Sequence, residues 1–229
     1  METTNQIKHK GPHLGILAVI FTVLFNTGLS FVLTFSGTSP HYPGPWEPVQ
    51  TITTYFQHQS HNVMVCSFFQ FVSALPLGIF TATVVSRLRF LGNKSVGPYI
   101  ALFGGVFTAI NMGFAASLGW VMANPVVAQN APVIPVLYYW GFAMGGVGYS
   151  VPLGLLIAGM AVSSGFMKLL PKWMVVFGLV IACFGELSCL TMVFPKLLPL
   201  IPLTRFPGFI WLIIAGFKMP VSISKKEMA

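Results

Sequence analysis

The sequence predicts an all-α membrane protein: a bundle of six transmembrane helices, both termini cytoplasmic, with helix four kinked or broken at Gly145–Pro152. Three observations predict it. The 229 residues are 55% hydrophobic and only 7% charged, against about a quarter charged in a soluble domain. The apolar residues fall into six runs, each near the ~20 residues that cross a bilayer as a helix. The basic residues cluster at the ends of those runs, mostly on one side, as the positive-inside rule requires.

The runs lie at about 14–36, 62–86, 97–122, 136–166, 173–194 and 204–221 and form a single integral-membrane domain. The first is too long for a signal-peptide core, and no A-x-A-like site follows it, so it is read as an uncleaved span. With both ends inside, the cytoplasmic side holds Lys8, Lys10, Arg87, Arg89, Lys94, Lys168, Lys172, Lys218, Lys225 and Lys226. Only Lys196 and Arg205 fall on the outer side, ten against two. That tally fails for five or seven spans. The external loop, 37–61, carries Pro40, Pro43, Pro45, Pro48 and Trp46, which reads as a folded-over cap or interfacial loop. Span two has Pro76 near its middle, where a kink is expected.

Span three carries Ala101, Gly105, Ala109, Gly113 and Ser117, small residues every fourth position. Such a stripe suits close helix contact, within the chain or with a homo-oligomer or partner helix. Span four is long, and its centre reads Gly145-Gly146-Val147-Gly148-Tyr149-Ser150-Val151-Pro152. Glycine and proline together weaken a helix. Broken helices at mid-membrane often build transporter sites; a kinked, tightly packed helix is the plainer reading.

Composition also excludes. There are four acids, Glu2, Glu47, Glu186 and Glu227, and no Asp, which disfavours carboxylate-rich cation sites and two-carboxylate chemistry. The net charge of +8 belongs to topology rather than to nucleic acid; its partners are anionic lipid headgroups. Cys66, Cys183 and Cys189 form no CxxC pair. His58 and His61 are spaced i, i+3 and are the weak metal candidates, with no firm third ligand. No histidine lies within a span to bind haem, and no cofactor or catalytic motif is present, so the reading leans away from an enzyme.

What remains is a polar layer inside the apolar runs. At ~1.5 Å per residue, Asn26 lies ~18 Å above Leu14, Asn111 ~20 Å above Pro98, and Glu186 ~21 Å above Lys172. Gln70 lies ~13 Å below His61, and Arg205 ~20 Å above Lys218 if the chain is helical there. Tyr149 and Ser150 sit slightly lower. Intramembrane charges are costly and mark function by default, so these seven are the candidate ligand-binding residues, centred on Glu186 and Arg205. Two readings follow: a pocket that binds or passes a small solute, or a clasp that fixes the bundle of a non-transporting partner or sensor component. Pro199, Pro202 and Pro207 also allow a non-helical segment that leaves Arg205 at the outer interface.

Several segments, in order, resemble a known family: Thr81 to Gly92 (TATVVSRLRFLG), Tyr99 to Gly105 (YIALFGG), Gly141 to Gly159 (GFAMGGVGYSVPLGLLIAG), Leu170 to Leu179 (LPKWMVVFGL), Glu186-Leu187-Ser188, and Leu198 to Gly216 (LPLIPLTRFPGFIWLIIAG). The family is the bacterial multi-pass membrane family called domain of unknown function 4386. The resemblance covers most of residues 66–220. It implies a six-span protein of a bacterial inner membrane and transfers no site residue.

Overall fold

The computed structural model describes residues 6–33 and 41–224. The described chain is an all-α multi-pass membrane protein with one short two-stranded ribbon. In order it contains β1 (Gln6–Lys8), α1 (Leu14–Ser30), α2 (Val49–His58), α3 (Ser60–Phe90), α4 (Gly97–Met122), α5 (Pro125–Ala128) and α6 (Ile134–Gly145). Then come α7 (Val147–Phe166), α8 (Lys172–Leu187), 3₁₀ turns at Ser188–Met192 and Pro195–Leu197, α9 (Leu200–Lys218) and β2 (Ser222–Ser224).

Among the described residues, five helices are long and apolar enough to cross a membrane: Ser60–Phe90, Gly97–Met122, Ile134–Phe166, Lys172–Met192 and Pro195–Lys218. The first expected span is shorter than its apolar run. Leu14–Ser30 has 17 residues, ~26 Å of helix against a ~30 Å hydrocarbon core. It ends where Ser30 Oγ donates to Thr27 O at 2.7 Å, a local bond that competes with helix continuation. Residues 34–36 of that expected span and 37–40 of the expected loop lie outside the described residues.

The fourth span bends as expected, and the break is at Gly146, φ −90° and ψ −96°, between α6 and α7. Pro152 lies inside α7. Lacking an N–H, it cannot bond the carbonyl four residues back, that of Gly148. Asn111 on α4 fills that place, its Nδ2 donating to Gly148 O. Pro76 and Pro207 are likewise carried inside α3 and α9. The segment expected as an external loop holds a helix: α2 buries Ile52, Thr53, Tyr55 and Phe56, an i, i+3, i+4 face of a helix.

The chain divides into two compact units. One comprises Leu77–Phe107 with the described parts of Met1–Val19 and Ser150–Ala229. Here α4 and α7 meet backbone to backbone. A Cβ on Gly159 would lie 2.6 Å from both Ala101 N and Gly97 O, so only glycine fits. Trp211 of α9 is buried, its Nε1 donating to Met174 O at 2.8 Å, with its ring against Gly178 of α8. The ribbon pairs Gln6 with Ser224 and Lys8 with Ser222, antiparallel, extended by His9 N donating to Val221 O at 2.8 Å. Arg87, counted from sequence among the basic residues of the cytoplasmic side, is only 2% exposed. Its Nη2 donates to Pro12 O at 3.3 Å, and among the described residues its Nε and Nη1 have no hydrogen-bond partner.

The second unit comprises the described parts of Ile20–Pro76 with Thr108–Tyr149. Its core gathers Val32, Ile52, Tyr55, Phe56, Val63, Cys66, Met122, Ala123, Ile134 and Tyr138. Tyr42 lies edge-on to Tyr55 and Phe56 at 5.5 and 5.9 Å between centroids. Tyr138 Oη donates to Pro43 O at 2.6 Å, and Gln57 Nε2 to Ala128 O at 3.1 Å. The proline-rich stretch is thereby pinned to α6, and α2 to α5. Burial, then neighbouring Tyr138, Cys66 and Tyr55, pushes the Tyr42 phenol well above its ordinary range; burial, then Cys66, pushes that of Tyr55 to about 12.

Candidate functional site

Glu186 occupies the last turn of α8, where that helix touches α7 through two glycines. A Cβ on Gly185 would stand 2.9 Å from both Gly154 Cα and Ser150 O. One on Gly154 would stand 3.1 Å from Glu186 Oε1. The glycines let the backbones close up and leave room for the carboxyl beside α7. Thr204 of α9 packs its methyl group on Gly185 and donates Oγ1 to Leu200 O at 2.9 Å. Ser188 donates to Gly185 O at 2.6 Å.

Among the described residues, two polar atoms in this α7–α8 contact are buried without a hydrogen bond: Glu186 Oε1 and Ser150 Oγ. Buried polar atoms are almost always paired, so two orphans in one place are informative. Among the described residues the ion pair within 4.0 Å is His41–Glu47, and Glu186 has none. Arg205 is half-buried in α9. That helix runs from Leu200 through Pro202 to Lys218, so Arg205 is not in a non-helical segment. Pro202 falls in the first turn, where a missing N–H is harmless.

The other expected residues belong to the second unit. Asn111 is buried with its amide committed to Gly148 O. Asn26 Nδ2 bonds Thr22 O of its own helix at 2.8 Å. Tyr149 is buried, its ring stacked on Phe25 at 6.1 Å. Gln70 is half-buried on α3, where Gly28 of α1 packs against Cys66, Phe69 and Gln70. So Ser150 and Glu186 meet at one helix contact of the first unit. Within the second, Asn111 reaches the carbonyl beside Tyr149, and Phe25, beside Asn26, reaches Tyr149 itself.

Sequence reasoning did not count Thr204, Ser188, Gly154 or Gly185 among the site residues. Their signal was present: glycines on two spans, at the level of the lone intramembrane acid. The stripe on α4 splits along its length. Ala101 and Gly105 are buried, against α7 and against Thr81 of α3, while Ser117 is exposed. A spacing of four residues gains about 40° per step on a helix, so the stripe winds from one face to another. Among the described residues no three His, Cys, Asp or Glu groups are placed to hold a metal. His58 instead bonds Thr54 O through Nδ1 at 2.8 Å. Compared with known proteins, the chain matches no family model, no curated protein and no solved structure.

Proposed function

We propose that this multi-pass membrane protein crosses six times with both ends in the cytoplasm of a bacterial inner membrane, and binds or passes a small solute at polar groups around Glu186. The ribbon supports the count. A chain whose two ends pair as β1 and β2 do has them on one side, which requires an even number of crossings. Five long helices then need α1 as the sixth, its short length met by local bilayer thinning. The ten-to-two basic count supports the cytoplasm as that side. The bacterial setting rests on the sequence resemblance.

One observation carries the site: a carboxyl oxygen buried at a helix contact, with no hydrogen bond and no ion pair among the described residues. A clasp would place a cation on that carboxylate. An unmatched carboxyl within a membrane suits proton exchange or a donor group of a passing solute. Ser150 extends the site along α7, and Arg205 on α9 is its further proposed lining. The test is proton flux into proteoliposomes under an imposed pH gradient. Glu186→Gln should lower the flux roughly tenfold or more and flatten its pH dependence. Wild-type flux in a folded Glu186→Gln protein would remove the residue from the mechanism.

A further inference from the structure

A concavity lies outside the spans. It measures about 530 Å³ and is lined by His41, Gln50, Thr51, Thr54, Tyr55, His58 and Gln59. That is within the range of small-molecule sites. It rests on the packed tyrosine cluster, because Tyr55 is held from behind by Tyr42 and Phe56. The floor is thus fixed before any ligand arrives.

The hydrogen bonds decide what the lining offers. A carbonyl only accepts, so His58 Nδ1, bonded to Thr54 O, carries the proton. The Nε2 of the neutral ring is then a bare acceptor. His41 Nε2 faces the Glu47 carboxylate at 2.9 Å and is likewise the protonated nitrogen, leaving Nδ1 as acceptor in the neutral ring. Glu47 is turned away from the cavity by two donors, His41 and Gly44 N at 2.7 Å. Gln59 Oε1 accepts from Asn62 at 2.9 Å, so its NH₂ group is the free end. Thr51 and Thr54 supply exposed hydroxyls without a hydrogen bond among the described residues, and a hydroxyl both donates and accepts.

We propose that this cavity binds a neutral polyhydroxylated solute of one or two sugar rings. A hydroxyl donates one hydrogen bond and accepts others, which matches two bare nitrogens, a carboxamide NH₂ and two hydroxyls. Bare nitrogens repel an anion, and no free carboxylate lines the wall for a cation. Tyr55, almost fully buried, gives the cavity an apolar floor. The site is independent of Glu186, and with both ends of the chain in the cytoplasm it opens to the outside.

Calorimetric titration of the full chain in nanodiscs with glucose and maltose tests this, with inorganic phosphate and choline as class controls. Saturable binding of either sugar is expected, weakened roughly three- to tenfold by Thr54→Val, which removes one hydroxyl from an exposed position. His58→Leu should weaken it similarly. Absence of sugar binding, tighter binding of phosphate or choline, or wild-type affinity in both folded cavity variants would each overturn the proposal.

Discussion

Gly159→Ala adds one methyl group to α7 at the point where α4 leaves no space for it. The new carbon would stand 2.6 Å from Ala101 N, 2.6 Å from Gly97 O and 2.9 Å from Ala101 Cβ. Ordinary contact begins at 3.4 Å, so the closest atoms overlap by about 0.8 Å. Two of them are backbone and cannot swing aside. The helices must part by a comparable distance, and a gap of 0.5–1 Å forfeits about a quarter to a half of each dispersion well along the seam. The overpacking cost is about 1–3 kcal/mol, with the upper end expected against backbone. Alanine is otherwise the better helix former by about 1 kcal/mol, which partly offsets it. Gly78→Ala in α3 is the control, because a Cβ there meets nothing within 4 Å. It should stabilise by about 0.5–1 kcal/mol. Thermal melting in one detergent should place Gly159→Ala several degrees below wild type, at about 2–4 °C per kcal/mol, and Gly78→Ala slightly above. Equal melting of the two variants would refute the backbone-contact argument.

Two further predictions concern pH. The Gly44 N–H, then the His41 imidazole, holds the Glu47 carboxyl below its ordinary range; the stabilisation is therefore present above the unfolded value and lost as pH falls through the lowered folded one. Trp46 fluorescence should report loosening of the 41–48 segment in acid, and Glu47→Gln should show that looser state already at neutral pH. Burial, then the charge of Arg87, lowers the His9 imidazole. Its folded form favours the neutral ring, so ribbon stability is full above the ordinary imidazole value of about 6.5 and declines as pH falls below it. The protection of the His9 amide, whose N–H bonds Val221 O, should fall on acidification once exchange is normalised to the intrinsic rate at each pH, and His9→Asn should remove most of that dependence.

The helices were legible where composition alone decides them. Long apolar runs at α3, α4, α8 and α9 leave no choice, since a backbone in hydrocarbon must bond itself. The bend at Gly146 was legible because Gly and Pro act locally. The first helix was overdrawn because hydropathy ignores the Asn26, Thr27, Gly28 and Ser30 side chains that favour a turn. Helix α2 was missed because its Thr-rich sequence is a weak helix former, and it gains stability only from Ile52, Tyr55 and Phe56 packing onto the tyrosine cluster. Distance along each helix is readable from helical rise. Rotation about each axis is not, so Asn111 could not be assigned to the carbonyl freed by Pro152.

The sequence by itself determined that this chain lives in a membrane, where its long helices run, and which acid lies among them, because transfer from water depends on composition and length. Tertiary structure alone decided what each polar group meets. It set Glu186 beside Gly154 without a cation, buried Arg87, and folded His41 and His58 around one cavity. Those outcomes depend on helix rotation and on contacts between residues far apart in the chain, which no local pattern encodes.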